Sequence, residues 1–522
     1  MIEKYLQNLT PRKYQQEIFE NCKTNNCLVV LPTGIGKTLI ALMLTIQRFI
    51  EFPREKVLIL APTKPLAEQH YNYFKKNLPE LFGEITLFTG KVKAENRKKI
   101  WQSSDIIFST PQCIANDIKK GLYNLTDVSL LVEDEAHRCL KKYDYRYVAE
   151  NYIQNSQHPR ILGMTASPGS DKKKIQEICK NLFVDHVEVR TRESEDVKEY
   201  LQEREFDHID VELPPEFLEI KKLLEVLFNR KTDELRNRKV LFQPATGTNL
   251  IALQQRLFKM VSTGKRDFNT LIAMSVVAQA VKINHALGLI ETQTVTGFQN
   301  YLDKLFEEAN TGKSKASKHL ANSLELNKAN VLSKDLLARN IEHPKMEKLK
   351  EIIQNDLKEN PNMKSIVFSQ FRDSVNIIAK RLNEIPGIKA EVFVGQQKKN
   401  GSGMDQKKQG STIVDFSEGK INVLCATSIG EEGLDIPEVN SVIFYEPVPS
   451  AIRKIQRAGR TARLMKGKFI ILVTKNTRDE AFYWTAISKE KRMHKALKTI
   501  NADLEEIKSN KTLEDFGKGE NN

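Results

Sequence analysis

Cysteine is scarce in this sequence, and the few cysteines fit no known framework. Among 522 residues there are six, none of them in a C-x-x-C pair, and no histidine cluster has zinc-site spacing. The chain is therefore unlike disulfide-rich secreted proteins and zinc-knuckle proteins. We expect reduced, mostly buried thiols at Cys22, Cys27, Cys113, Cys139, Cys179 and Cys425.

A long uncharged hydrophobic run is also missing. The first residues, Met1–Tyr5, lack the apolar run of a signal peptide. The most apolar long segment, Leu271–Ile290, carries Gln279 and Lys282, so it predicts a packed helix rather than a membrane span. We therefore expect a cytoplasmic protein with no membrane partner.

Acidic residues are outnumbered. The chain has 81 Lys and Arg against 67 Asp and Glu, a formal net charge of +14 and a pI of about 9.2. The surplus is concentrated, since residues 221–341 hold 19 basic and 10 acidic residues. Such a balance favours a polyanionic partner, although a solvated lysine-rich surface gives the same composition. The length predicts two to four soluble domains.

A phosphate-binding pattern is present near the N-terminus. The stretch Leu28–Thr38 (LVVLPTGIGKT) begins with four apolar residues, which predict a buried strand, and continues with two glycines that permit a tight turn before an apolar helix. Such a unit aims backbone N–H groups and a helix N-terminus at one point. Lys37 would contact the terminal phosphates, and Thr38 would hold Mg²⁺. The usual pattern has glycine where this chain has Leu31, so the match is incomplete.

Apolar runs alternate with helical stretches around this loop. They cover residues 57–60, 85–88, 106–108, 129–132 and 161–164. Such strands predict a parallel sheet covered on both faces, whose ligands collect at the carboxyl ends of the strands. Asp134 and Glu135 follow one of these runs, where Asp134 would bind Mg²⁺ through water and Glu135 would activate the attacking water. Acids also favour helix N-caps, but together with the phosphate loop they predict an ATPase.

The strand pattern vanishes between residues 190 and 342, and helical periodicity replaces it. Thr311–Lys318 is a basic, hydroxyl-rich turn in which Lys313, Lys315 and Lys318 suit phosphate contacts. A solvated flexible loop is the open alternative. Since the turn has no aromatic residue, it does not suggest base stacking.

Alternation resumes after Pro344. Apolar runs at 366–368, 392–394, 423–425, 442–444 and 469–473 predict a second parallel sheet, which has no phosphate loop of its own. The stretch Gln456–Arg463 places arginines three apart at a turn, where they could reach an ATP held by the first sheet as arginine fingers.

Together these motifs resemble superfamily 2 helicases, and more narrowly the archaeal Hef helicases and the Fanconi anaemia group M translocases. The resemblance runs from Pro11 to about Lys491 and includes the strings Leu31–Thr38, Ala61–Leu66, Asp134–His137, Thr165–Ser170 and Tyr445–Arg453. It implies an α/β fold of two RecA-like lobes with an all-helical insertion between them. The expected domains are lobe 1 at 1–190, the insertion at 191–342, lobe 2 at 343–496 and a polar, frayed tail at 497–522.

The resemblance also implies roles for single residues, with ATP and Mg²⁺ as cofactors. Gln15 would read the adenine, and the phosphates and Mg²⁺ would be held by Thr33, Gly34, Gly36, Lys37 and Thr38. Asp134 and Glu135 would coordinate metal and activate water, while His137 and Thr165–Ser167 would couple hydrolysis to lobe closure. From the second lobe, the ribose would lie near Gly433 and Asp435, and the triphosphate near Gln456, Arg460 and Arg463. The phosphates of one DNA strand would contact Thr63, Gly90, Thr110 and Thr427, and the helical insertion would help to hold branched DNA.

The activity so implied is an ATP-dependent DNA helicase or translocase that acts on forked or branched DNA in replication-fork repair, with 3'-to-5' polarity, in the nucleoid. A separate nuclease is one expected protein partner, because the C-terminal nuclease signature of many Hef proteins does not occur in this sequence. A sliding clamp is the other expected partner. A second departure is Ala462, where the family usually has glycine. Three alternatives stay open: a duplex-RNA translocase of the RNA-sensing or Dicer type, a non-enzymatic nucleic-acid-binding scaffold, and a restriction-type translocating subunit.

Overall fold

Two parallel sheets and a helical bundle make up the chain. The structure is a computed structural model that describes residues 2–518 except 7–8, 33, 91, 141–142, 167, 170, 192–193, 199, 201–204, 265–266, 396–403, 405, 428–438 and 448–467. The two sheets with a bundle inserted between them confirm the predicted fold class.

The first lobe contains a seven-stranded sheet. Its strands are β1 (Cys27–Val30), β2 (Lys56–Leu60), β3 (Ile85–Leu87), β4 (Ile106–Ser109), β5 (Val128–Asp134), β6 (Ile161–Thr165) and β7 (His186–Val189). They pair in the order β3-β4-β2-β5-β6-β1-β7, and every pair is parallel. The helices are α1 (Lys13–Thr24), α2 (Lys37–Glu51), α3 (Lys64–Asn77), α4 (Ala94–Ser103), α5 (Pro111–Lys119), α6 (Asp144–Asn155), α7 (Lys172–Asn181) and α8 (Glu195–Lys198). Single 3-10 turns lie at Glu3–Tyr5, Glu80–Phe82 and Ala136–Arg138.

Helices cover both faces of this sheet, which explains its near-continuous apolar strands. All residues of β1 and β5 are buried, and neighbours along β1 contribute to opposite cores: Leu28 packs on one face and Val29 on the other. A parallel sheet buried on both sides puts the carboxyl ends of its strands on one common edge.

The second lobe contains a six-stranded parallel sheet. Its strands are β8 (Glu205–Val211), β9 (Ser365–Phe368), β10 (Ala390–Phe393), β11 (Val423–Ala426), β12 (Ser441–Phe444) and β13 (Lys468–Thr474), in the order β10-β11-β9-β12-β13-β8. The bundle between the lobes consists of α9 (Pro215–Asn237), α10 (Gly247–Ser262), α11 (Phe268–Thr292), α12 (Val295–Asn310), α13 (Lys315–Ala321) and α14 (Leu324–Ala338). The remaining helices are α15 (Pro344–Glu359), α16 (Arg372–Leu382), α17 (Gln406–Ser417) and α18 (Arg478–Lys518).

The helix α11 is the centre of the bundle. It is long and apolar enough to cross a membrane by composition alone. In the fold it packs against α9, α10, α12 and α13, which bury Val277, Ile283 and Leu287 among other residues. Side-chain N-caps define several helix starts, including Asp267 for α11 and Thr294 for α12.

Two segments differ from the sequence-based expectation. The stretch predicted to be free of strands contains β8, which pairs with β13 over its whole length and so belongs to the second sheet. The tail expected to fray continues as α18, whose residues Leu497 and Ile500 are buried in the core of lobe 1. The domain boundaries themselves stay predictions. Because β8 leads into α9 and α14 leads into α15, the bundle leaves from lobe 2 and returns to it.

A buried ion pair ties the base of the bundle to lobe 2. The Lys345 ammonium contacts the Asp479 carboxylate, and neither side chain is more than 1% exposed. Lys345 also donates to the Thr292 carbonyl at 3.3 Å and lies 5.5 Å from the ring centre of Tyr445. Asp479 accepts a further bond from the Thr474 N–H at 3.2 Å. This junction pair therefore joins α11, α15, β12, β13 and α18.

Candidate nucleotide-binding site

A left-handed loop precedes α2 at the carboxyl end of β1. Gly34 and Gly36 have φ of 88° and 86°, values that favour glycine. A Cβ on Gly36 would displace the Gln15 amide nitrogen from its place beneath the loop. The first N–H groups of α2 point out of this loop, as an anion-binding helix N-terminus requires.

Helix α1 holds the loop from below. The Gln15 amide donates to the carbonyls of Ile35 and Gly36, at 3.3 Å each, and its oxygen accepts from the Arg12 N–H at 2.9 Å. The Tyr14 hydroxyl donates to the Ile35 carbonyl at 2.6 Å. Gln15 is thus a positioning residue for the loop in this structure, and its predicted contact with adenine stays a prediction.

Lys37 begins α2 and is enclosed by the loop. Its ammonium donates to the Leu31 carbonyl at 3.0 Å. Burial lowers the pKa of Lys37, and the nearby carboxylates of Glu135 and Asp134 only partly offset that effect. Leu31, which replaces the usual glycine, is fully buried in the lobe 1 core. Here the leucine side chain packs into the core, while its carbonyl accepts the hydrogen bond from Lys37.

Asp134 ends β5 on the same edge of the sheet. Its carboxylate is 2.8 Å from the His70 Nε2, and its carbonyl accepts from the Tyr145 hydroxyl at 2.6 Å. Burial by itself would raise the pKa of Asp134, but the His70 bond and charge and the Lys37 charge outweigh it, so the pKa lies below its usual value. Sequence reasoning missed His70. The only available signal was a histidine two turns into the helix that follows Ala61–Leu66.

Glu135 occupies a conformation that is rare for residues other than glycine. Its φ is 52°, in the left-handed region, and such strain often accompanies functional positions. The His137 Nδ1 lies 3.1 Å from the Glu135 carboxylate and 3.0 Å from the Thr165 hydroxyl. The acid is therefore connected to the end of β6 through one histidine, and the coupling role of His137 and Thr165 stays a prediction.

The other predicted residues are distributed as follows. Thr38 lies in the first turn of α2, while Thr63 and Thr110 stand immediately before α3 and α5 at the carboxyl ends of β2 and β4. Thr427 follows β11, and its hydroxyl, like that of Thr63, is buried without a hydrogen-bond partner among the described residues. Exposed positions on the surface are Gly90, Lys313, Lys315 and Lys318. Outside the described residues lie Thr33, Ser167, Gly433, Asp435, Gln456, Arg460 and Arg463.

These residues fit a nucleoside triphosphate with Mg²⁺. A glycine loop, a helix N-terminus and a partly buried lysine suit a phosphate group, and Thr38 and Asp134 carry oxygen atoms of the kind that Mg²⁺ prefers. No cluster of three or more His, Cys, Asp or Glu that could hold a metal occurs among the described residues. That is typical of nucleotide sites, where magnesium takes its other ligands from phosphate and water.

Comparison with known families matches three segments of the chain. Residues 12–175 match the DEAD/DEAH box helicase model, and residues 344–465 match the helicase conserved C-terminal domain. Residues 216–342 match a helical bundle whose family is described as "Putative ATP-dependent RNA helicase".

Individual relatives agree with these matches. The crystal structure of the Pyrococcus furiosus Hef helicase domain is 42% identical with a TM-score of 0.72, and the match covers 91% of this chain and 98% of that one. A Methanocaldococcus jannaschii protein named "Putative ATP-dependent RNA helicase" is 40% identical over 94% of this chain and 61% of its own length. A Neurospora crassa protein named ATP-dependent DNA helicase mph1 is 35% identical over 92% of this chain and 42% of its own. The chain thus spans about half the length of these two relatives.

Proposed function

Because the chain belongs to the DEAD/DEAH-box helicases of the Hef, Mph1 and Fanconi anaemia group M family, we propose that it is an ATP-driven motor on forked or branched DNA. The observation that carries this proposal is the assembly of Lys37, Asp134 and Glu135 at one sheet edge beneath a glycine loop. In this proposal Lys37 binds the terminal phosphates, Thr38 and Asp134 hold Mg²⁺, and Glu135 accepts a proton from the attacking water.

The second half of the site is proposed to come from lobe 2. Strands β11 and β12 end at the points where the chain continues into the segments with Gly433 and Asp435, and with Gln456, Arg460 and Arg463. We assign the first two residues to the ribose and the other three to the triphosphate. ATP binding would then draw the lobes together, and hydrolysis would release them.

The arginine assignment predicts a selective defect. Arg463→Ala should lower DNA-stimulated ATP hydrolysis by about 10³-fold or more, because an arginine finger stabilises the transition-state charge. Nucleotide binding, measured with a fluorescent ATP analogue, should change little. Arg478→Ala, which removes a guanidinium that contacts Glu291 at the bundle base instead, is the control. Near-normal turnover in Arg463→Ala would contradict the assignment.

Four threonine and glycine positions support a strand-binding groove. Thr63, Gly90 and Thr110 follow strands of lobe 1, and Thr427 follows a strand of lobe 2. Two of the hydroxyls, in Thr63 and Thr427, have no described partner, as expected for groups that take a phosphate oxygen. A track with contacts on both lobes lets one lobe step relative to the other, in the proposed 3'-to-5' direction. Lys313, Lys315 and Lys318 would hold a second arm of the DNA.

A panel of nucleic acids tests the substrate. ATP hydrolysis and strand displacement would be measured side by side on single strands, forks, four-way junctions and duplex RNA, at a stated salt concentration because backbone binding is salt-dependent. The proposal expects the largest stimulation with forks or junctions. Glu135→Gln is the control for hydrolysis that does not come from this site, since the variant should retain DNA binding and lose ATP turnover.

A duplex-RNA motor is the second candidate, because the bundle model and the Methanocaldococcus relative both carry RNA helicase names. Stronger stimulation by duplex RNA than by any DNA would establish it in place of the DNA motor. A scaffold with a silent ATP site would show no stimulation by any nucleic acid. A location in the nucleoid, a sliding clamp and a separate nuclease complete the proposal, and co-purification on forked DNA would test the two partners.

A further inference from the structure

The free end of the helical bundle carries the three most exposed aromatic side chains among the described residues. Phe242, Phe258 and Phe268 are 79%, 67% and 79% exposed, and the next aromatic side chain, Trp484, is 56% exposed. Large aromatic rings are usually buried, since burial of one ring contributes strongly to stability. Three such rings in water at one end of a bundle therefore call for a ligand.

Two hydrogen bonds show that the three rings belong to one end of the bundle. Arg238, just after α9, donates to the Asn269 side chain in the first turn of α11 at 3.0 Å. Arg256 on α10 donates to the Val240 carbonyl in the loop after α9 at 2.8 Å. Phe242 lies in that loop, Phe258 in the last turns of α10 and Phe268 at the start of α11. We call this end, residues 235–264 and 267–271, the aromatic tip.

The tip projects away from lobe 2. Along α11, the Asn284 carbonyl accepts a hydrogen bond from Arg478 of α18 at 2.6 Å. At about 1.5 Å per helical residue, Phe268 lies about 24 Å further along the axis. A ligand at the tip would thus meet the bundle well away from its attachment to the motor.

The three exposed rings are not needed to fill the hydrophobic core at this end of the bundle. Helix α10 turns Leu250, Leu253 and Leu257 inward, where they are buried against α9 and α11. Phe258 faces outward on the same side of the helix as Ile251, one heptad earlier, which is 47% exposed. The interior of this end is closed without the phenylalanines.

The charge of the tip identifies its ligand. The described residues of the tip include five Lys or Arg and a single acid, Asp267, whose carboxylate caps α11 by accepting the Thr270 N–H at 2.9 Å. Arg236 and Arg238 pair with acids on α9, at 2.8 and 3.2 Å, but such exposed pairs contribute little. Rings interleaved with cations match an unpaired nucleic-acid strand, which offers both phosphates and base faces. Duplex nucleic acid hides its base faces in the stack.

We propose that the aromatic tip stacks unpaired bases at the branch point of the nucleic acid on which the motor acts, an inference that rests on the proposed function. The test measures binding of forked DNA that carries 2-aminopurine in the first unpaired positions, without nucleotide. Phe258→Ala and Phe268→Ala should each weaken fork binding by about 5- to 100-fold. Each should also reduce the change in 2-aminopurine fluorescence that occurs when the protein binds the fork. Binding of blunt duplex should stay unchanged.

Matched variants separate base stacking from simple apolar contact. Val331→Ala on α14 removes an equally exposed side chain, at 67%, from the same bundle and should leave fork binding unchanged. Phe258→Tyr should bind like the wild type, whereas Phe258→Leu should bind like Phe258→Ala, because leucine keeps the apolar surface without the ring. Equal binding by the leucine and wild-type proteins would overturn the proposal and indicate an apolar protein-docking surface.

The failure of this inference differs from the failure of the motor assignment. ATP hydrolysis stimulated by a single strand depends on the lobes, so it should persist in the tip variants. Wild-type hydrolysis stimulated by forks, together with unchanged fork binding in both alanine variants, would overturn the tip proposal alone. No stimulation of the wild type by any nucleic acid would overturn the motor assignment.

Discussion

Each lobe places a lysine near an aspartate, but only one of the two lysines lies against a carboxylate. In lobe 2 the Lys345 ammonium contacts Asp479, and both side chains are inaccessible to solvent. In lobe 1 the Lys37 ammonium donates to the Leu31 carbonyl, while Asp134 is hydrogen-bonded to His70. The same two residue types thus form a closed pair in one lobe and an open arrangement in the other.

Under the proposed function, the difference separates a structural charge from one that is available to a ligand. A buried ion pair must be satisfied inside the protein, because desolvation of the two charges is costly. Lys345 meets this requirement through Asp479 and the Thr292 carbonyl, and so it joins the bundle to lobe 2. Lys37 retains donors for a ligand at the mouth of a glycine loop. Its lowered pKa records the cost of keeping that cation desolvated without a direct carboxylate partner.

Breaking the closed pair should have the largest effect. Lys345→Ala leaves Asp479 buried without its countercharge, so we expect the free energy of unfolding to fall by about 3–5 kcal/mol. Chemical denaturation followed by tryptophan fluorescence would measure this loss, since Trp484 lies on α18 close to Asp479.

A double replacement sharpens the same prediction. Lys345→Met combined with Asp479→Leu removes both charges while keeping most of the volume, and should restore stability to within about 1–2 kcal/mol of the wild type. Wild-type stability in Lys345→Ala would show that the pair is not the tie between bundle and lobe.

Breaking the open arrangement should affect activity rather than stability. Lys37→Ala should lower ATP hydrolysis by about 10²–10³-fold, the range for loss of one preorganised donor to the transition state. The melting temperature should hold or rise, because a desolvated cation has been removed.

Lys56 provides a matched control in the same lobe. Like Lys37, it has an ammonium that donates to a carbonyl, that of Ser104 at 2.9 Å, and it lies 3.7 Å from the half-exposed Asp127 carboxylate. It is at the start of β2, on the opposite edge of the sheet. Lys56→Met should lose stability and keep ATP hydrolysis. If Lys37→Ala behaved in the same way, the distinction between the two lysines would be wrong.

The sequence predicted most of the two sheets, since their strands are buried on both faces and read as unbroken apolar runs. Of the thirteen strands in the described part of the chain, eleven coincide with such runs, and β7 and β8 do not. The edge strand β8 was missed because EFDHIDV contains neither an unbroken apolar run nor a regular alternation, and it pairs on one side only, with β13. Helix α18 was missed although Met493, Leu497 and Ile500 have helical spacing, because the surface of lobe 1 that covers them is remote in sequence.

The candidate site was predictable where one local motif supplies the chemistry. The phosphate loop and the paired acids follow strand ends, so their convergence follows from a parallel sheet. The contact of His70 with Asp134 and the hydrogen bonds from Gln15 to the loop were not predictable, because each depends on how a helix packs against a strand end. The two lysines looked alike in sequence, and only their surroundings distinguish them.

Within the part of the chain that the structure describes, Glu133 is a buried ionisable group that has neither a paired charge nor a ligand site beside it. It precedes Asp134 in β5 and is completely buried, and neither of its carboxyl oxygens has a hydrogen-bond partner among the described residues. Burial raises the pKa of Glu133 well above its usual value, so the folded protein favours the neutral acid. This residue resembles neither Lys345, which is paired, nor Lys37, which faces a ligand site.

Glu133→Leu should therefore stabilise the protein at neutral pH, by about 1–3 kcal/mol, because an unsatisfied buried polar group is replaced by an apolar one of similar size. The raised pKa fixes the sign of the pH dependence. The wild type keeps the full contribution of Glu133 below the unfolded pKa of about 4.3 and loses it as the pH rises towards the folded pKa. The stability advantage of Glu133→Leu over the wild type should consequently be smallest at pH 4 and should grow towards pH 8. Melting temperatures measured across this pH range would follow it.

Asp117 is a control for the Glu133→Leu stability measurement, because it is a buried acid with a charged partner. It is also fully buried, but it is hydrogen-bonded to the Arg97 guanidinium at 2.6 Å. Asp117→Leu should destabilise the protein at neutral pH, because it leaves a buried arginine unpaired. A Glu133→Leu protein that is less stable than the wild type at pH 7, or a difference that does not change with pH, would mean that Glu133 has an ionised partner, and that it belongs with Lys345 among the closed pairs.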